Sequence, residues 1–459
     1  MKQKLNTLLN SGGISKTSKI EKILIYLFLI AALFIIIYNI FNYDSVQGYD
    51  SDAHFLYVDI LPKISNLLPE NTYEYFNPPL PYLIPSVVGT VCEKLTTNNL
   101  NTCREIYKFA IQILQMIMFF FSIYFYIKIF NIFELDDTTL KLSFLALLLL
   151  ITANYKTFAM FRSETYIIFL NSILLYRFTI LLKNSFKCVN IDYIIFGTCI
   201  GLLALSRQWS FLLFPPYFLI YILLKKDIKA QYFKFIFYSF ALGFAISGWW
   251  YFRLFFEFGS FTAFNMSSSP LKFTNQPLNF YWPFNNSAID MFVKPIRPNF
   301  NNQFFPVLYS SLWGDYWGYF SFTSNALSTG RNQLLIGDYL ARVNIISILP
   351  TFFLLAGLKI GFKALVTKNK NNIEIFNSLI FISILFSFFG YFVFVLKYPS
   401  YNGNTIKAVY IIQLFHLMSF LGAHYIKNLK EKNLKRYQLS ILLLIVAFIH
   451  NFSAMLSHF

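Results

Sequence analysis

Apolar residues run in long blocks, at 24–42, 107–129, 141–154, 164–182, 191–206, 209–224, 233–254, 343–361, 374–396, 405–426 and 438–456. An α-helix needs about 20 such residues to cross roughly 30 Å of hydrocarbon. Helices satisfy their own backbone in lipid, so the pattern predicts an all-α polytopic bundle of about eleven transmembrane helices. The stretch 80–91 is apolar but short and proline-bearing, and is expected to be re-entrant or interfacial. The first apolar run, about 19 residues, exceeds the usual 7–15 of a signal peptide and lacks a small-residue cleavage site, so it is expected to stay in place.

Composition agrees: 56% of the 459 residues are hydrophobic, 20% aromatic and 13% charged, against roughly 25% charged in an ordinary soluble domain. The formal charge of +17 does not point to nucleic acid, because the cations gather in alternate loops such as "KKDIKAQYFK" and "KNLKEKNLKR". By the positive-inside rule those loops face the cytoplasm. One integral membrane domain over 1–459 follows, with two long external segments, 43–106 and 255–342. No hydrophilic run is long enough for a separate soluble catalytic domain. Cys92 and Cys103 share the first external segment, where they pair or stay free according to compartment. No metal-ligand spacing stands out.

The first loop carries the densest chemistry. Asp50, Asp52 and His54 follow the first span in "QGYDSDAHFLYVDIL", ahead of an amphipathic stretch suited to a helix at the membrane surface. Both aspartates fall at the N-terminus of that helix, where its dipole favours an ionised carboxylate. Farther on, "EYFNPPLPYLIP" holds Glu74 and Asn77 before prolines 78, 79, 81 and 85, which restrict the backbone.

"DSDAHF", then an interfacial helix, then "NPPLPYL", resembles the first external loop of GT-C membrane glycosyltransferases, nearest the protein O-mannosyltransferase-like branch (family 39) with the lipid A aminoarabinose transferases. The resemblance covers about the first hundred residues in motif and the rest in span count and loop placement. It implies transfer of a sugar from a polyprenyl-phosphate carrier to a lipid, glycan or protein acceptor at the external face, with no further cofactor and no nucleic acid. Where the family has an adjacent acidic pair, this chain has Asp50 and Asp52 around Ser51; Asp52 is expected to be the base, with Asp50 second. Asn77 replaces a basic residue, so phosphate contacts must come from elsewhere.

Such chemistry needs a base, cations for the departing phosphate and an apolar groove for the lipid. External cation candidates are Arg162, Arg207, Arg331, Arg342 and Lys407, of which Arg207 in "LSRQWS" and Lys407 in "GNTIKAVY" rank above Arg162. Arg207 sits between two runs with almost no loop, so its charge faces either headgroups, as a snorkelling anchor, or a cavity. Arg162 and Glu164 are spaced to pair with each other. In "SSLWGDYWGYF", Asp315 and Trp317 suit a sugar, by carboxylate and ring, although an interfacial aromatic belt explains such rings equally well. His54, Glu74 and Asn77 complete the substrate-binding candidates.

The rival reading is a transporter or lipid flippase, which would place ionisable residues inside Gly/Pro-broken spans; here they crowd the external ends. A non-catalytic scaffold would tolerate alanine at both aspartates. Short loops favour a bacterial inner membrane and a role in the cell envelope. The triplets Asn265-Met266-Ser267 and Asn285-Asn286-Ser287 would be glycan acceptors in an endoplasmic reticulum lumen.

Overall fold

The computed structural model describes residues 2–44, 47–64, 67–96, 100–133, 138–282, 289–321 and 333–458. Arg331 and the triplet 285–287 lie outside them. Among the described residues all regular structure is helical. The helices are α1 (Lys2–Asn42), α2 (Ser51–Ile60), α3 (Leu80–Leu95), α4 (Leu100–Ile132), α5 (Thr138–Leu150), α6 (Thr152–Ala159), α7 (Glu164–Lys183), α8 (Asn190–Ala204), α9 (Pro215–Leu223) and α10 (Lys226–Phe258). After them come α11 (Leu278–Tyr281), α12 (Phe304–Trp313), α13 (Gln333–Ile346), α14 (Ile348–Val366), α15 (Asn372–Lys397), α16 (Ile412–Lys432) and α17 (Leu434–Met455).

Eight helical stretches are long and apolar enough to cross a membrane, or nine if α5 and α6, bent by 64°, form one span. The predicted runs 191–206 and 209–224 became shorter apolar helices, Asn190–Ala204 and Gln208–Leu223, which accounts for the difference from eleven. The α5–α6 bend frees carbonyls that need partners in an apolar interior. Asn154 Nδ2 donates to Leu148 O at 2.8 Å, and the Tyr155 hydroxyl to Leu149 O at 2.7 Å.

α16 is the central helix, packed against α5, α14 and α15. Association in lipid relies on close packing and hydrogen bonds, and both occur here. α14 meets α16 at Gly357, where a Cβ would overlap the backbone of Leu421 and Gly422. His416 of α16 bonds Asn154 Oδ1 at 2.8 Å. At the lysine-rich end, the buried Glu21 carboxylate of α1 accepts from Thr138, Thr139, Lys430 and Tyr437, joining α1, α5, α16 and α17. A disulfide between Cys92 and Cys103 ties α3 to α4.

α2 and α3 cap the opposite end of the bundle. Phe55, Tyr57, Val58 and Tyr82 join a second apolar cluster with Trp250 and Leu254 of α10. α2 is therefore packed into the protein through one face, more deeply than a helix resting on a membrane surface.

Because backbone, not side chain, blocks Gly357, Gly357→Ala is expected to lower stability by about 1–3 kcal/mol, read as a fall in the detergent unfolding temperature.

Candidate active site

Where α1 gives way to α2, Tyr49 is buried and Asp50 takes up the left-handed conformation, φ 56°. That region is sparsely allowed for a residue with a Cβ, though Asp is among the more tolerant. Holding it costs on the order of 1 kcal/mol or more. Asp50 makes no side-chain cap bond to α2. Its Oδ2 instead accepts from Lys407 Nζ at 3.2 Å, which lies 357 positions away along the chain.

Lys407 is held by its backbone. Its N–H donates to the Tyr391 hydroxyl at 2.7 Å, and that hydroxyl donates to Thr405 O at 2.7 Å. On the other side Trp317 Nε1 donates to Ile406 O at 3.2 Å and the Ala408 N–H to Ser311 Oγ at 3.1 Å. The segment 405–408 is thus clamped between α15 and the end of α12. Lys156, wholly buried on α6, fixes that end by donating to the carbonyls of Ser311, at 2.8 Å, and Gly314, at 2.5 Å.

Two guanidiniums share one buried carboxylate beside this pair. Glu164, at the start of α7, accepts from Arg162 Nε and Nη2, each at 3.1 Å, and faces Arg207 Nε at 3.3 Å. The Arg162 and Arg207 guanidiniums lie 5.5 and 5.4 Å from the Tyr410 ring centre, and Lys407 Nζ lies 5.3 Å from it. A ring face attracts cations electrostatically, so Tyr410 collects all three charges. Tyr49 adds a second face, 4.7 Å from Lys407 Nζ. Arg207 Nη1 is buried without a hydrogen-bond partner.

Burial pushes the Glu74 carboxyl up to about 7, against the pull of Arg207; its Oε2 accepts from Asn77 Nδ2. Asp50 is held well below the ordinary carboxylate range by Lys407, with burial opposing. Its side chain is half exposed. Burial pushes His54 down, aided by Arg162 and Arg207, so the imidazole is neutral. Its Nδ1 bonds the Tyr82 hydroxyl at 2.7 Å, and its buried Nε2 has no partner. With Glu74 protonated, Arg162, Arg207 and Lys407 face the charges of Glu164 and Asp50, and the site carries a surplus positive charge.

From Arg207 a groove of about 270 Å³ runs between the 208–213 turn and α15, its walls mostly apolar. Asn77, Trp209, Phe264, Phe394 and Tyr410 line it, with Lys397 also on its wall. Trp209 stacks on Tyr410, centroids 5.6 Å apart. Chemically this is a slot for an apolar chain that ends in an anion.

Arg207, Lys407, Arg162, Asp50, Glu74, His54 and Asn77, spread over 357 positions, therefore converge. Asp52, ranked above Asp50 in sequence, does not: it is exposed on the first turn of α2 with no ion pair among the described residues. Asp50 lies in the left-handed turn that precedes α2 and Asp52 on the helix's first turn, so different backbone sets the two carboxylates. Trp317 is buried against Ile406, and Asp315 Oδ2 accepts the Phe320 N–H at 3.0 Å in a closed turn. Trp317 therefore braces the Lys407 segment and Asp315 the 315–320 turn, and neither is exposed. Arg342 is exposed on α13. Tyr410, Tyr49, Trp209 and Lys156 were missed; in a chain that is 20% aromatic, nothing local distinguishes these rings.

No protein-family model and no curated protein matches the chain. Among solved structures it is similar to the oligosaccharyltransferase of Archaeoglobus fulgidus in its apo form, with a TM-score of 0.50 and 14% identity over 95% of this chain and 56% of that one. The same enzyme with zinc and sulfate gives 0.49 and 14%, over 94% and 53%. The chain spans about half the length of that enzyme. That enzyme is a GT-C glycosyltransferase, and the likeness gives this chain the GT-C-type helical membrane fold. Asp50 is paired with Lys407, and no group of three His, Cys, Asp or Glu converges among the described residues.

Glu164→Gln would leave two buried guanidiniums short of a counter-charge. It is expected to cost about 3–5 kcal/mol, whereas Asp50→Asn, which removes a half-exposed carboxylate from the nearly buried Lys407, is expected to cost less. Unfolding in detergent compares the two.

Proposed function

We propose that the protein transfers a glycosyl group from a polyprenyl-phosphate carrier to an acceptor at the end of the bundle opposite the lysine-rich loops. The observation that carries this reading is the mostly apolar groove that ends on Arg207, a buried guanidinium with one donor unpaired, beside the half-exposed Asp50. The lipid chain lies along Trp209, Phe264 and Phe394, and the phosphate meets Arg207. A guanidinium fork suits phosphate, and Lys407 adds charge as the leaving group departs.

Asp50, kept ionised by Lys407, accepts the hydrogen bond of the acceptor O–H or N–H. As the acceptor atom bonds to the anomeric carbon, the bond from that carbon to the phosphate oxygen breaks, the lipid phosphate leaves with the electron pair, and the acceptor proton passes to Asp50. Asp52 takes no part. Glu74 sets the charge of the Arg207 end: protonated below about 7, it leaves the surplus positive charge that favours the donor. The placement nearest the protein O-mannosyltransferase-like branch rests on the first-loop motif, the external face on the distribution of lysines, and the bacterial inner membrane and cell-envelope role on the short loops.

Purified protein offered a panel of polyprenyl-phosphate sugars should turn over at least one. Asp50→Asn should lose about a hundredfold or more, and Asp52→Asn should stay near wild type. Equal loss in both variants, or in neither, contradicts the assignment, and a wild type that transfers from no donor favours a flippase. The pH dependence is a separate check. Ionising Glu74 removes the surplus charge, so the donor KM should rise as pH passes upward through about 7. Glu74→Gln should hold the low KM across that range; an unchanged profile would remove Glu74 from this role.

A further inference from the structure

A second cavity, of about 680 Å³, adjoins the groove along the 397–401 stretch. Lys397 and Tyr398 line the groove, and Pro399, Ser400 and Tyr401 line the second cavity. The two are opposite in character. No lining residue of the second carries charge, so it offers no counter-charge to a phosphate or a carboxylate, and its amides make it a poor place for a lipid chain.

Those amides, Asn275, Gln276, Asn279, Asn301 and Asn302, come from two stretches folded against one another. Asn275 Nδ2 and Gln276 Nε2 are spent on the carbonyls of Leu396 and Val395, each at 2.9 Å, which ties the cavity to the end of α15. Asn302 donates to Gln276 Oε1 at 2.8 Å. Its Oδ1 is buried with no partner, on a residue only 7% exposed and held at φ 55°. An acceptor buried in this way is costly unless something donates to it. Asn279 is exposed and Asn301 partly so. Tyr401 is 94% exposed, a ring standing at the rim of a polar cavity.

We propose that this cavity binds a neutral oligosaccharide. Side-chain amides both donate and accept, which matches the hydroxyls of an uncharged sugar. An exposed ring covers the apolar face of a pyranose, as aromatic side chains do when one end of a site is apolar and the other wet. The cavity is coupled to the active site through the backbone. Gly403 packs against Asn302, with room for little more than a hydrogen, and its carbonyl accepts the Ile406 N–H at 2.8 Å, one residue before Lys407. A glycan held here lies beside the segment that carries the Asp50 partner, where the acceptor would stand. Its role as acceptor rests on the transferase reading above; its binding does not.

The test uses the full chain in detergent with neutral oligosaccharides of glucose, mannose and N-acetylglucosamine, uronic-acid oligosaccharides and unstructured peptides as probes, read by saturation-transfer NMR and titration. At least one neutral oligosaccharide should bind with a Kd below about 1 mM, and Tyr401→Ala and Asn279→Ala, both at exposed positions, should each weaken it about tenfold. Binding by peptides or charged glycans alone, no binding at all, or binding that neither variant alters would overturn the proposal. A wild type that binds the glycan but transfers from no lipid donor would contradict the transferase reading alone. One that transfers with an acceptor KM indifferent to both substitutions would contradict only the acceptor site.

Discussion

Everything at the site depends on the Glu164 carboxylate, wholly buried and shared by Arg162 and Arg207. Two guanidiniums cannot sit together in a low-dielectric interior without a counter-charge, because the cost of removing ions from water exceeds what loose contacts return. Glu164 satisfies Arg162 by a two-pronged bond yet reaches only one nitrogen of Arg207. That asymmetry makes the first arginine structural and leaves the second with capacity to spare. The Tyr410 ring, stacked under Trp209, spreads the remaining positive charge and keeps Lys407 pointed at Asp50.

The parts that hold this charge are local in space and remote in sequence. Lys407 is aimed by a backbone clamp made of Tyr391, Trp317 and Ser311, and that clamp is held by Lys156, a lysine whose ammonium bonds only backbone carbonyls. A chain of ordinary hydrogen bonds thus runs from the bent α5–α6 pair to the end of the bundle. The groove and the amide-rich cavity share the 397–401 stretch as a common wall, so their separation is set by a few residues of irregular backbone at the end of α15.

Much of the architecture was legible in the sequence, because hydrophobic runs of membrane length leave a chain few choices. Helices outside span length were less legible: α8 and the 208–223 stretch read as full crossings, since a continuous apolar run does not reveal where a helix stops. At the site, charge was the readable signal. Arg207 and Lys407 stood out because a cation at the edge of an apolar run needs a reason, and both reached the cluster. Asp52 misled because composition cannot say which of two aspartates faces inward, and that depends on the left-handed turn at Asp50. Trp317 and Asp315 looked like a sugar platform, but both are buried, Trp317 on the Ile406 carbonyl and Asp315 on the Phe320 N–H. Tyr410 left no trace, being one of 31 tyrosines.

Whether the groove takes an apolar chain carrying a phosphate is tested by direct binding, without any turnover. Native mass spectrometry of the purified protein with polyprenyl phosphate and with the matching polyprenol would be run on wild type, Arg207→Lys and Val393→Trp, the last filling the groove while leaving the arginine in place. The predicted result is that wild type retains the phosphate at least about tenfold better than the alcohol, and that both variants lose this preference, one through the fork and one through the groove. Equal retention of the two lipids by wild type, or retention of the phosphate undiminished in Val393→Trp, would contradict it.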